Sequence, residues 1–323
     1  MIRIALDGMG GEGAPRAPVE AALEALEADP ELSVLLVGAP EELRPLVEET
    51  GATPDRLRIV PASERVGMDE APARAVRRKP DSSVAVAVRL HAEGDADAVV
   101  SAGSTGATVA ASMLELEPIE GVDRPAVAAL LPTAADPVLL LDVGADVSAR
   151  SRHLHQFARL GTTYLRDLRG PRAPRVGLLN VGEEPGKGDR ELTEAHRLLR
   201  EDPRLEFVGN VEGDGIVEGR CDVLVCSGFT GNVLLKFYES VAGFVARLVA
   251  EATGEQRPPG LDEVLRVLDY TEYGGAPLLG VAGLPVICHG SSPPRAIRNA
   301  VAGAARTARA GTVRHLVREM AGG

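Results

Sequence analysis

The sequence predicts an α/β protein: a mostly parallel sheet sandwiched by helices. Three observations carry this. Short, continuous apolar runs such as Val34–Val37, Ala98–Ser101 and Val223–Cys226 alternate with stretches whose apolar residues recur at helical spacing. Apolar runs without polar alternation are the mark of strands covered on both faces. No low-complexity segment or long linker interrupts the pattern, so a second domain would be inserted into the sheet rather than strung on behind it.

The elements follow in order. Ile2–Leu6 is a first strand, and Pro18–Ala28 with its Ala/Leu face a helix. Strands at Val34–Val37 and Arg58–Val60 flank a helix near Glu41–Glu49. Ser82 or Ser83 is placed to cap a helix running to Ala92. The strand Ala98–Ser101 runs through a glycine turn into a helix that ends by Pro118. Val127–Leu131 and Val138–Asp142 are strands joined by Pro132–Pro137 as a hairpin or crossover, and a helix carrying Phe157 and Leu160 runs to about Asp167. Pro171 and Pro174 mark a loop before the strand Arg175–Val181, the helix Glu191–Arg200, and the strands Phe207–Val211 and Val223–Cys226. After a helix opened by Gly228–Asn232 come a loop at Gly254–Gly260, a short helix at Leu261–Leu268 and the glycine-rich apolar stretch Tyr273–Gly280. A last strand, Val286–Cys288, precedes one helix beginning near Pro293 and carrying Arg295, Arg298, Arg306 and Arg309.

The 323 residues suffice for one large or two medium domains, and 45% hydrophobic with 25% charged residues is ordinary for a soluble globular chain. A formal net charge of −12 argues against a general nucleic-acid binder. No apolar run approaches the ~18 residues of a membrane-spanning helix. Met1 leads directly into a strand, so no signal peptide is expected and the chain reads as cytoplasmic. Cys221, Cys226 and Cys288 match no zinc spacing and read as reduced, mostly buried thiols. Among 35 basic residues only Lys79, Lys187 and Lys236 are lysine, which suggests sites needing a slim point charge rather than a planar fork.

Two turns share one design. Gly103-Ser104-Thr105-Gly106 and Gly228-Phe229-Thr230-Gly231 have the same G-x-T-G order, each after a strand and each opening an apolar helix. A helix N-terminus offers unpaired N–H groups and the positive end of the dipole, and glycine lets the backbone close on an anion. Ser101, Gly103, Ser104, Thr105, Gly106, Gly228, Thr230 and Gly231 are therefore the candidate phosphate and substrate-binding residues, an anion being held between two halves of the molecule. Gly8, Gly10 and Gly13 also fit the dinucleotide pattern G-x-G-x-x-G. Asp7 and Glu12 would set carboxylates beside a pyrophosphate, however, and no acidic residue ends the next strand at the usual distance.

Lys187, between two glycines after a strand, suits a mobile cationic finger. Asn232 offers an amide, and His289, at a strand end before Gly290-Ser291-Ser292, can accept or donate a proton. The set suits a tetrahedral anion and developing negative charge, with bound phosphate itself as a nucleophile needing positioning more than activation. Arg74, Arg77, Arg78 and Lys79 form a basic cluster in an acidic chain, either a solvated helix face or a dock for an acidic carrier or phosphate.

Seven motifs in order make the chain resemble the bacterial phosphate acyltransferases of phospholipid synthesis, the acyl-ACP:phosphate transacylases. They are A-L-D-G-M-G-G at Ala5–Gly11, V-S-A-G-S-T-G-A at Val100–Ala107, L-D-V-G-A at Leu141–Ala145, L-L-N-V-G-E-E at Leu178–Glu184, V-C-S-G-F-T-G-N-V at Val225–Val233, Y-G-G-A-P-L-L-G at Tyr273–Gly280 and H-G-S-S at His289–Ser292. The resemblance implies a fold like the isocitrate and isopropylmalate dehydrogenases, with two α/β domains around a cleft: residues 1–118 plus 275–323, and an inserted 119–274. It implies a homodimer that transfers an acyl group from acyl-ACP to inorganic phosphate, with no metal or organic cofactor. The acyl phosphate would feed a membrane glycerol-3-phosphate acyltransferase. By motif match, Lys187, Asn232 and His289 are the catalytic residues. Glu12, Ser104, Asp146, Ser148 and Ser227 depart from the family pattern, which has Asp, Asn, Asn, Asp and Asp there. Family members carry a longer amphipathic hairpin before Tyr273 that touches the membrane; here Phe244, Val245, Leu248 and Val249 remain apolar, so peripheral contact at the inner face of the membrane stays open. Two other readings remain: an NAD-dependent decarboxylating dehydrogenase on the same fold, and a non-enzymatic phosphate or acyl-carrier binding protein.

Overall fold

A computed structural model describes residues 1–49, 55–133, 136–170, 172–253, 272 and 274–322. The chain forms two compact units, Met1–Pro125 with Gly274–Gly323, and Ala126–Tyr273.

In the first unit the elements are β1 (Ile2–Asp7), α1 (Arg16–Ala28), β2 (Leu32–Gly38), α2 (Pro40–Glu49), β3 (Leu57–Pro61), α3 (Pro72–Arg78), α4 (Ser83–Ala92), β4 (Ala98–Ser101) and α5 (Thr105–Glu115). In the second they are β5 (Ala126–Leu131), β6 (Val138–Leu141), α6 (Ser151–Arg169), β7 (Arg175–Leu179), α7 (Arg190–Glu201), β8 (Glu206–Val211), α8 (Gly213–Val217), β9 (Val223–Val225) and α9 (Gly228–Thr253). The chain then returns to the first unit with β10 (Ala276–Leu279), β11 (Pro285–Ile287), α10 (Pro294–Ala310) and α11 (Thr312–Ala321).

The first unit's strands run in the order β3-β2-β1-β4-β11-β10, all parallel except β10 against β11. In this register Leu6 lies beside Leu36 of β2 and Val100 of β4. These strands bury Ile4, Leu6, Leu36 and Val100 against Leu26 of α1 and Ile297 and Val301 of α10. The second unit's order is β5-β6-β9-β7-β8, parallel except for β5 against β6. The segment Pro132–Pro137 is thus the turn of a hairpin rather than a crossover. Strands β6, β7 and β9 are wholly buried at Leu139, Leu140, Leu141, Val176, Val223 and Leu224, as is Phe157 of α6. Parallel strands send their C-terminal ends to one edge, where open α/β sheets collect ligands. The loops after β1, β4 and β11 share such an edge in the first unit, and those after β6, β7, β8 and β9 share one in the second.

Four local outcomes differ from the sequence reading. Ser82 does precede α4, but its hydroxyl donates backward to the Lys79 carbonyl at 2.7 Å, so it is no side-chain cap. The glycine-rich stretch contains β10, whose four residues are too few to show a period. The C-terminal helix is two helices, broken where Gly311 adopts a left-handed φ of 70° that ordinary side chains avoid. The five-residue α8 was not anticipated, and the helix expected at Leu261–Leu268 lies outside the described residues.

Candidate functional site

In the first unit the strand-end loops converge on Asp7. Its carboxylate is buried, with one oxygen taking the Ser101 hydroxyl at 2.7 Å and the other the Met9 N–H at 3.1 Å. The Gly103 N–H in turn donates to Ser101 Oγ at 3.1 Å. Burial raises the Asp7 pKa, opposed by hydrogen bonds from Ser83, Ser101, Met9 and Gly10. The structure thus makes Ser101 a brace between strand β1 and the G-x-T-G turn. Asp7, Gly10, Ser83, Ser101, Gly103 and Ser104 line a cavity of about 10 Å³, room for about one water. Thr105, at the start of α5, is the exposed residue of the turn, with Ser104 and Gly106 half-buried on either side. Ser104 caps that helix, accepting the Ala107 N–H at 3.4 Å.

The same geometry disposes of the dinucleotide pattern. The N–H groups of Met9 and Gly10 serve Asp7, and that of Glu12 donates to the Gly290 carbonyl at 2.8 Å. Helix α1 starts only at Arg16, beyond Gly13. Three of the turn's N–H groups are thus spent on Asp7 and Gly290, and no helix N-terminus opens directly behind it for a pyrophosphate.

His289 follows β11 and is exposed. Its Nδ1 lies 3.2 Å from the Ser291 backbone N–H and 2.8 Å from the Ser291 hydroxyl. A backbone N–H can only donate, so Nδ1 accepts and the neutral ring carries its proton on Nε2. In that form His289 presents a proton donor at Nε2.

In the second unit the anchor is Asp142. Its Oδ1 takes the N–H groups of Val127, Gly144 and Ala145 at 2.9, 3.1 and 3.0 Å, and Oδ2 takes that of Asp146 at 2.6 Å. Burial raises its pKa against these four bonds. The Asp146 carbonyl receives the Gly228 N–H at 2.9 Å. The approach is so close that a Cβ at Gly228 or Gly231 would land on Asp142 oxygens, which is why both positions are glycine. Asn232 donates from Nδ2 to the Val143 carbonyl at 3.3 Å. Ser227 resolves into a helix cap: its hydroxyl accepts the Thr230 N–H at 3.4 Å and lies 3.0 Å from the Thr230 hydroxyl. Asp146 and Ser148 are partners, the Ser148 N–H donating to Asp146 at 3.1 Å, and Asp146 also lies 3.2 Å from His153 Nδ1.

Lys187 is exposed, with Nζ 3.7 Å from Glu184. Its loop backbone is tied down: Asn180 Nδ2 donates to the Lys187 carbonyl at 3.0 Å, and Asn210 Nδ2 to the Glu184 carbonyl at 2.8 Å. Freedom of movement thus belongs to the lysine side chain, on a fixed mount. Asn180 and Asn210 escaped the sequence reading, although each is the amide at the end of an apolar run.

In α3, Arg74, Arg77 and Arg78 are exposed. Lys79 is set apart from them, pairing with Glu70 at 2.6 Å and donating to the Arg65 carbonyl at 3.0 Å. Along α9 the exposed apolar residues Phe229, Val233, Phe237, Val241, Phe244 and Leu248 recur every three or four positions, so they share one face. Among the described residues, no helix is long and apolar enough to cross a membrane.

Comparison with known proteins identifies the family. A family model described as fatty acid synthesis protein matches residues 2–315. The phosphate acyltransferase of Heliobacterium modesticaldum is 49% identical, over 98% of this chain and 96% of that one. That of Salinibacter ruber is 44% identical, over 98% and 97%. Among solved structures, the EutD phosphotransacetylase of Staphylococcus aureus superposes with a TM-score of 0.64 at 15% identity, covering 96% of this chain and 94% of that one. A 4-hydroxythreonine-4-phosphate dehydrogenase from Klebsiella pneumoniae gives 0.58 at 16%, covering 95% and 99%. These two share the fold. On the match along nearly its whole length, the chain belongs to the fatty acid synthesis protein family in which the phosphate acyltransferases fall, and it is an acyltransferase.

Proposed function

We propose that the chain transfers a fatty acyl group from acyl-ACP to inorganic phosphate. A phosphate oxygen attacks the thioester carbonyl, the C–S bond breaks, and the carrier thiol leaves with a proton. The observation that carries this reading is the turn at Gly228–Asn232, where the N-terminus of α9 and the Asn232 amide lie together on a braced backbone. The positive end of the α9 dipole and the Thr230 hydroxyl would hold phosphate, as Thr105 and Gly106 could at the sister turn. The Asn232 amide and the Lys187 ammonium would stabilise charge on the carbonyl oxygen, and His289 Nε2–H would hydrogen-bond the leaving sulfur, whose proton comes from the attacking hydrogen phosphate. None of these steps asks for a metal or organic cofactor.

Arg74, Arg77 and Arg78 would dock the acidic carrier, with Lys79 holding the helix end through Glu70. Charge reversal at the three arginines should raise KM for acyl-ACP steeply with salt; an unchanged KM would remove this patch from the reading. The outer face of α9 supports peripheral membrane contact. A Phe237→Glu/Phe244→Glu variant should lose co-sedimentation with anionic vesicles, and full retention would reject that role. A homodimer and delivery of product to a membrane glycerol-3-phosphate acyltransferase complete the reading, on the resemblance alone.

The deciding assay incubates the protein with long-chain acyl-ACP, phosphate and EDTA. Acyl phosphate formation supports the proposal. Phosphate binding without product would favour a binding protein, and NAD reduction with metal dependence a dehydrogenase.

A further inference from the structure

We propose that Asp142 is the positioning residue for Asn232. This rests on the reading that Asn232 touches the reacting groups. Asp142 takes four backbone N–H groups at once, and a carboxylate is suited to this because both oxygens accept and neither donates. Those bonds fold residues 143–146 into a fixed loop. The loop then latches the first turn of α9: Asp146 through its carbonyl to the Gly228 N–H, and Val143 through its carbonyl to the Asn232 amide. The Val143 carbonyl also decides which way the amide faces. Turned over, Asn232 would set oxygen against oxygen, so Nδ2 must face Val143, leaving its second N–H to be directed by the same bond.

The sister turn separates bracing from chemistry. Asp7 also anchors the first unit's turn with a buried carboxylate, here through the Met9 N–H and the Ser101 hydroxyl, but Ala107 stands at the position matching Asn232. The buried carboxylate belongs to both turns, the amide to one. Asp7 is therefore the internal control for what a brace does without an amide to aim.

The test is a double-mutant cycle on turnover and on KM for phosphate, in Asp142→Asn, Asn232→Ala and the pair. In Asp142→Asn the new NH2 meets an N–H, so the loop shifts. Asn232→Ala should lower kcat by about 100-fold, as for loss of one oxyanion donor, and Asp142→Asn should match it to within a few-fold, with KM for phosphate little changed. The pair should be no slower than the slower single variant. Asp7→Asn should instead multiply with Asn232→Ala. Should Asp142→Asn fail to fold, Gly144→Ala carries the test: Gly144 has φ 139° and its Cβ would press on Asn232 Nδ2 at 3.0 Å. It should lower kcat without adding to Asn232→Ala. Multiplying effects, or a change confined to KM, overturn the proposal while leaving the acyl-transfer reading intact. Wild-type turnover in Asn232→Ala would remove the role of Asn232 and this proposal with it.

Discussion

Replacing Ser101 with alanine separates a brace from a ligand. The hydroxyl gives one hydrogen bond to a buried carboxylate and takes one from the Gly103 N–H. Its loss removes a charge-assisted bond and strands a buried donor, each worth roughly 1.5 kcal/mol, about 3 kcal/mol together. For a unit of this size that lowers the melting temperature by about 6 to 12 °C. Calorimetry or circular dichroism reads the melt, and initial rates at varied phosphate read KM. The geometry calls for a large loss of Tm, with KM for phosphate changed less than tenfold. An unchanged Tm beside a KM raised a hundredfold would show Ser101 to be a phosphate ligand and would refute the bracing argument.

Lys187→Ala should cut kcat about 100-fold while leaving Tm unmoved, because its ion pair with Glu184 is exposed; a rate near wild type would end its assigned role. Burial pushes the Cys221 and Cys288 thiols up to about 12 and raises that of Cys226 as well. Iodoacetamide should therefore leave the native protein unlabelled and active, and label all three after denaturation; rapid native labelling would contradict this. Burial pushes the Asp202 carboxyl up, but bonds from the Arg204 side chain and amide and from His155 outweigh it, and its pKa falls to about 2. The sign is that of a depressed acid: its stabilisation is present above about 3.8 and is lost as pH falls through about 2. Asp202→Asn should thus cost about 2 kcal/mol at neutral pH and almost nothing near pH 2, and a cost independent of pH would refute the pairing.

Much of this was legible because the strands are covered on both faces, so they appear as plain apolar runs with glycine at their ends. The paired G-x-T-G turns could be read for the same reason: glycine is required where a helix start meets another backbone, as Gly228 and Gly231 meet Asp142. What stayed hidden were side chains whose partners are distant in sequence. Asp7 and Ser101 lie 94 positions apart and Cys226 and the Asp142 carbonyl 84, and no periodicity reports such pairs. Asp142 is visible in the sequence only as part of a motif, and Asp7 as part of a motif and a charge hostile to pyrophosphate, because the role of each depends on what buries it. Ser227 looked like the loss of a carboxylate until its hydroxyl was found capping α9. Asn180 and Asn210 passed as strand ends, their amides reaching carbonyls seven and 26 residues away.

The two anchor carboxylates have an acid consequence. Both have pKa values raised by burial, so the folded chain holds their protons more tightly than the unfolded one, and protonation there favours rather than opposes folding. Yet a protonated carboxyl accepts fewer N–H groups, and the loops it gathers slacken. Asp202 meanwhile keeps its clamp on Arg204 and His155 down to about pH 2. Acid that protonates these two carboxyls should therefore lower turnover by slackening the loops they gather, and a return to neutral pH should restore it.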